Sequence, residues 1–257
     1  MRFLYLLFIM VCFVSANTLL PPSDFLGYKL GDKFTPHHLV VDYLFHVSQN
    51  ESNVEIIEYG KTYEGRPLML AFISSVDNMD KLEQIRKDNL IRAGIIEGST
   101  KTKKVGIVWL SYNVHGNEAN STEAAMKTLH ALADKSNINT QEWLKNTLVI
   151  IDPSVNPDGR DRYANWYRMT ANRWPDADPL GREHMEPWPG GRTNHYYFDL
   201  NRDWAWQTQI ESQLRIVKYN EWLPHIHVDF HEQGYNSPYF FAPAAKPLHQ
   251  YITDWQR

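Results

Sequence analysis

The chain has 257 residues, 43% of them apolar, with nine Trp and fourteen Tyr. It can bury a sizeable core, which excludes a disordered, collagen-like or coiled-coil chain. Lys and Arg total 26 against 30 Asp and Glu, and this net charge of −4 has no basic run, so no electrostatic footprint for nucleic acid exists. Eleven histidines beside one cysteine direct any transition metal to imidazole and carboxylate ligands, which excludes zinc fingers and iron–sulfur clusters.

In chain order, residues 1–16 read as an export signal. Arg2 gives a positive start, residues 3–14 are apolar, and Val14-Ser15-Ala16 suits cleavage after Ala16, which removes the lone Cys12. The run is shorter than the roughly 20 residues that span a bilayer. The mature chain is therefore expected to be secreted or periplasmic, without disulfides and without a membrane partner. Residues 17–53 form a lead-in broken by Pro21, Pro22, Gly27, Gly31 and Pro36, with a helix over 36–48.

Residues 54–59 and 67–74 are apolar runs separated by a segment containing Gly65, which predicts a strand pair. Leu82, Ile85, Leu90 and Ile91 recur at near-helical spacing, whereas 105–110 and 147–151 are continuous apolar runs of buried strands. A helix over 121–133 separates those two strands, giving α/β alternation. Residues 156–199 are polar, aromatic and rich in Pro and Gly, which predicts a long loop. A helix over 209–223 follows, and then Ile226, Val228 and Phe230 alternate as a strand that ends at His231. Leu248, Tyr251, Ile252 and Trp255 form a helical stripe that stops without a cap, as though the domain were cut.

Where the strand at 105–110 gives way to helix, His115-Gly116-Asn117-Glu118 places an imidazole and a carboxylate three residues apart. Catalytic zinc commonly takes two His and one carboxylate and keeps a fourth position open. A third ligand belongs at the end of another parallel strand, because open α/β sheets gather their sites at the carboxyl edge. His231 stands there. His227 shares its alternation but lies about 13 Å deeper along the strand, and so suits a core role. Asp229 faces the same side as His231. Taken alone, the His115–Glu118 pair fits equally a helix N-terminus whose dipole Glu118 complements.

Asn156-Pro157-Asp158-Gly159 reads as a tight turn on a cleft rim. Gly190-Gly191-Arg192-Thr193-Asn194 and Asp199-Leu200-Asn201-Arg202 crowd arginines and asparagines, whose fixed N–H donors suit a carboxylate or oxyanion. A solvated, salt-bridged loop is the alternative for any one of these arginines.

These motifs, taken in order with His231, resemble the zinc carboxypeptidases of the carboxypeptidase A and B type over roughly residues 54–243. The resemblance implies an α/β fold with a mixed, mainly parallel central sheet flanked by helices, incomplete at the C-terminus, with the catalytic domain over 54–257. It implies Zn2+ on His115, Glu118 and His231, Arg192 at the developing oxyanion with Arg168 as the fallback, and Asn201 and Arg202 on the terminal carboxylate of a peptide or protein substrate. The implied reaction is hydrolysis of a C-terminal peptide bond. The family's general-base glutamate lies well beyond the third zinc ligand, past residue 257 here; Glu123 and Glu232 are the nearest substitutes and neither is assigned. A zinc-dependent deacylase of the same fold and a non-catalytic zinc-binding domain are the rival readings.

Overall fold

The computed structural model describes residues 18–234, 236–237, 246 and 248–256. The export signal, Cys12 included, lies outside them. The elements are α1 (Pro22–Leu26), α2 (His37–Asn50), β1 (Val54–Lys61), β2 (Pro67–Ile73), α3 (Val76–Met79), α4 (Leu82–Arg92), β3 (Gly106–Tyr112), α5 (Asn120–Ala133), α6 (Ile138–Leu144), β4 (Thr147–Asp152), α7 (Pro157–Thr170), α8 (Ile210–Trp222) and β5 (Ile226–Phe230).

The strands form one mixed sheet in the order β1-β2-β4-β3-β5. β1, β2 and β4 are joined by antiparallel ladders, and β4, β3 and β5 by parallel ones. Both faces are covered over β2, β4 and β3, as their continuous apolar runs require, whereas β5 at the edge leaves Ile226 and Val228 exposed. β2 shows this by period-two alternation: Met69, Ala71 and Ile73 face a core with Val40, Tyr43, Leu44, Met126 and Leu129, from α2 and α5. Leu68, Leu70 and Phe72 face the opposite core with Ile85, Trp109 and Trp222. Burying each such side chain contributes about 1.5–3 kcal/mol, so α2, read as lead-in, helps to hold the sheet.

Two sequence expectations are corrected. The stretch 156–199 is not all loop: α7 fills 14 residues of it, because Asn156 caps the helix by accepting from Gly159 N at 3.0 Å and Pro157 fits the first helical position. The predicted tight turn is thus a helix N-terminus. The stripe at 248–255 does not form a helix; residues 248–256 hold only a short 3₁₀ turn, Asp254–Gln256. Among the described residues no helix is long and apolar enough to cross a membrane.

His37, buried at the start of α2, places Nε2 2.8 Å from the Pro67 carbonyl, while its Nδ1 has no partner. Burial, opposed by that carbonyl and aided by Arg160 and Arg66, lowers the imidazole to about 4. The unfolded chain takes up this proton near pH 6.5 and the fold resists it until about 4. Stability is therefore full above the unfolded value and is lost as pH falls through that window, by up to about 3 kcal/mol. Urea denaturation of His37→Gln should show a shallower loss between those limits; an unchanged slope would refute the assignment.

Candidate metal centre

β3 and β5 are parallel neighbours in register through Tyr112 and Phe230, whose rings stack at 4.2 Å. Both strands therefore end at the same edge. Beyond Tyr112 the backbone reverses at Asn113, which adopts a left-handed φ of 59°, a conformation asparagine tolerates better than most residues. Asn113 Nδ2 donates to the carbonyls of His115, Gly116 and Glu118 at 2.9, 3.2 and 3.1 Å, and Ser154 Oγ donates to its Oδ1. One buried amide thus shapes the turn that carries two of the predicted ligands. Gly116 is required there: a Cβ would overlap the backbone of Gly159, Arg160 and Gly191. This close approach locks the turn against the start of α7 and the loop bearing Arg192.

The three predicted ligands converge, with one donor atom from each of His115, Glu118 and His231 lying within 4.8 Å of the others. His115 Nδ1 stands 2.8 Å from Glu118 Oε1, His231 Nδ1 3.2 Å from Glu118 Oε2, and the two Nδ1 atoms are 3.3 Å apart. The far side of each ring is held by a carboxylate: His115 Nε2 lies 3.1 Å from Asp199 Oδ1 and His231 Nε2 lies 3.1 Å from Asp229 Oδ2. With a cation bound, an N–H committed to each of those carboxylates would turn both Nδ1 lone pairs toward the ion beside Glu118, whereas without one a ring N–H donates to Glu118 instead. The first arrangement, a meeting of acceptors, is repulsive unless a cation sits among them. Ligands at about 2.0–2.1 Å in tetrahedral geometry stand about 3.3–3.4 Å apart, so the imidazole separation fits zinc.

Burial opposes the charge on Glu118, but His115, the backbone N–H of Glu232 and the His231 imidazole outweigh it and hold the carboxyl below its usual range. Burial likewise opposes the charge on Asp199, which His115, the N–H of Asn201 and Arg192 keep low. Both groups stay ionised, as a metal ligand and its support must. Arg192 donates to Asp199 Oδ2 from Nε and Nη2 at 3.2 and 3.0 Å.

A scan against protein families matches residues 40–222 to the zinc carboxypeptidase model, Peptidase M14. The chain belongs to the zinc carboxypeptidase family. None of the curated proteins compared with it matches. Among solved structures, this family member is similar to a carboxypeptidase candidate from Burkholderia mallei ATCC 23344, at 17% identity and a TM-score of 0.54, over 85% of this chain and 44% of that one. It is similar to carboxypeptidase A from Helicoverpa armigera at 18% identity and a TM-score of 0.50, over 83% of this chain and 52% of that one. It thus spans about half the length of these relatives.

The remaining sequence candidates in this zinc carboxypeptidase family member separate by contact. Asn201 lies beside the centre, its Nδ2 3.5 Å from His231 Nε2, and Arg202 next to it is exposed. Arg168 instead donates to the Phe34 carbonyl at 3.0 Å. Asn194 is buried and donates to Gln209 and Glu211, a structural role. His227 meets Ser111 Oγ at 3.1 Å, half-buried and outside the ligand cluster. Glu123 is ion-paired with buried Arg160 at 2.7 Å, and Glu232 accepts from Asn120 at the start of α5. Neither carboxylate points to the centre as a free base. A cavity of about 570 Å³ lined by Asn117, Tyr163, Trp166, Asp176, Glu183 and Glu186 lies beside the metal-bearing turn, a size that accepts a ligand. The roles of Asn113, Asp199 and Asp229 went unread in the sequence; only an asparagine directly after a strand hinted at the first.

Asn113→Ala should destabilise the protein by about 2–4 kcal/mol, because it loses the amide donors and the polar side chain that eases the left-handed conformation. Asn113→Gly should recover about 1 kcal/mol of that loss. Equal stabilities for the two variants in urea titration would contradict the strain argument. Asp199→Asn should weaken zinc binding by about 10- to 100-fold in chelator competition; unchanged affinity would remove Asp199 from the centre.

Proposed function

We propose that this chain carries the zinc-binding and carboxylate-binding part of a metallocarboxypeptidase acting on peptides or proteins with a free C-terminus. The observation that supports it is the convergence of His115, Glu118 and His231 at the carboxyl edge of β3 and β5. His115, Glu118 and His231 would hold the ion, and the exposure of His231 leaves one side of the centre open. Zinc bound there supplies Lewis acidity toward a carbonyl oxygen and toward water.

The chain's own groups account for charge stabilisation and carboxylate recognition in the proposed reaction. Arg192 is half-exposed on the rim and is anchored by Asp199, which pre-orients its guanidinium to stabilise negative charge forming on the scissile carbonyl oxygen. Asn201 and Arg202 share one 3₁₀ turn beside the centre, and there a neutral amide and a guanidinium would grip a terminal carboxylate. The catalytic domain would run over 54–257, with export of the protein directed by residues 1–16.

With zinc supplied, the complete gene product should hydrolyse a peptide with a free C-terminus at least tenfold faster than its C-terminal amide, and His115→Ala should abolish turnover. Arg192→Ala should lower kcat by about 10²- to 10³-fold with a small change in KM. Faster hydrolysis of the amide would move the reading to a deacylase, and zinc binding without turnover to a non-catalytic domain.

A further inference from the structure

Behind His231 the sheet carries a buried polar row. Asp152, Ser111 and Asp229 stand in register across β4, β3 and β5, so their side chains project from one face. That face is covered by α8, whose Leu214 and Trp222 pack on the core beside Trp109 and Ile150. Asp152 is fully buried, and Tyr59 donates to its Oδ2 at 3.1 Å.

α8 also carries Arg215, 1% exposed, whose guanidinium lies 3.8 Å from the centroid of the Trp204 ring. None of its three nitrogens has a hydrogen-bond partner, and Asp152 Oδ1 and Asp229 Oδ1 are buried and unpartnered as well. The carboxylates of Asp152 and Asp229 both act electrostatically on Arg215. A buried charge left without partners costs several kcal/mol, and no ion pair within 4.0 Å joins Arg215 to either carboxylate, so these donors and acceptors must satisfy one another through buried water or a small side-chain rotation. Asp229 is the link to the centre: its Oδ2 holds His231 Nε2 at 3.1 Å, while its Oδ1 is one of the atoms left for Arg215.

We propose that Arg215 is a positioning residue for the metal centre: its buried guanidinium holds Asp229 in the orientation that grips His231, and thereby sets metal affinity. The proposal rests on the reading that His115, Glu118 and His231 bind zinc. Arg215 belongs to none of the motifs or loops of the centre; it is the sixth residue of α8, the 13-residue helix behind the sheet, and it is outside the ligand cluster.

The test is zinc affinity by chelator competition on folded protein, with circular dichroism and thermal unfolding recorded alongside. Arg215→Met and Asp229→Asn should each weaken zinc by about 10- to 100-fold. The double variant should be no more than about threefold weaker than the worse single, because both act through one contact on His231. A purely structural Arg215 would lower the unfolding temperature and leave zinc affinity within about twofold of wild type, which overturns the proposal, as would multiplicative effects in the double variant. If Arg215→Met does not fold, Arg215→Met/Asp152→Asn removes the carboxylate that the lost guanidinium leaves uncompensated. Tenfold or greater weakening there supports the proposal, and wild-type affinity overturns it. Failure of the wild-type protein to bind zinc would instead refute the metal reading itself.

Discussion

The centre depends on two parallel strands lying side by side and ending together. β3 and β5 are far apart in sequence, and only their direct pairing brings the turn after Tyr112 to the residue after Phe230. Parallel neighbours need long crossovers, and here the crossover includes β4, α7, the aromatic loop and α8. The site is therefore a product of sheet order. A ligand pair within one turn, His115 and Glu118, is completed by one side chain that arrives from the far end of the described chain.

Holding these groups in place is an electrostatic problem as much as a packing one. Two imidazoles and a carboxylate face one another at the centre, and each imidazole is backed by a further carboxylate. Those carboxylates are in turn matched by positive charge. Arg192 pairs with Asp199 at the solvent rim, where its contribution is modest. Arg215 lies beneath the sheet, where a charge is tolerated only with partners. The two imidazoles are thus held from opposite sides, one by Asp199, which is ion-paired at the rim, and the other by Asp229, whose second oxygen is buried.

Much of this was legible from local pattern. The strand runs announced their own burial, and the short spacing of His115 and Glu118 announced a shared turn. His231 could be chosen over His227 because period-two alternation and strand length place them at different depths. Other features were hidden because their signals were ambiguous. Asn156-Pro157-Asp158-Gly159 serves a turn or a helix start equally well, and the Pro- and Gly-rich composition after it masked the 14 residues of α7. Glu123 looked like a spare carboxylate until its pairing with Arg160 showed it to be part of the scaffold.

By itself the sequence indicated the α/β class and the buried strand runs, which follow from periodicities of two and 3.6, and, through ordered motifs that resemble a family, three candidate metal ligands. Only the tertiary structure decided which carboxylates orient which imidazoles, that Asn113 ties the metal-bearing turn, and that Arg215 is buried against the sheet face that carries Asp229. Those relations join β3 to β5 and α8 to the sheet, and pairings across such distances leave no period in the chain. They are set when the sheet closes and every buried donor and acceptor must find a partner.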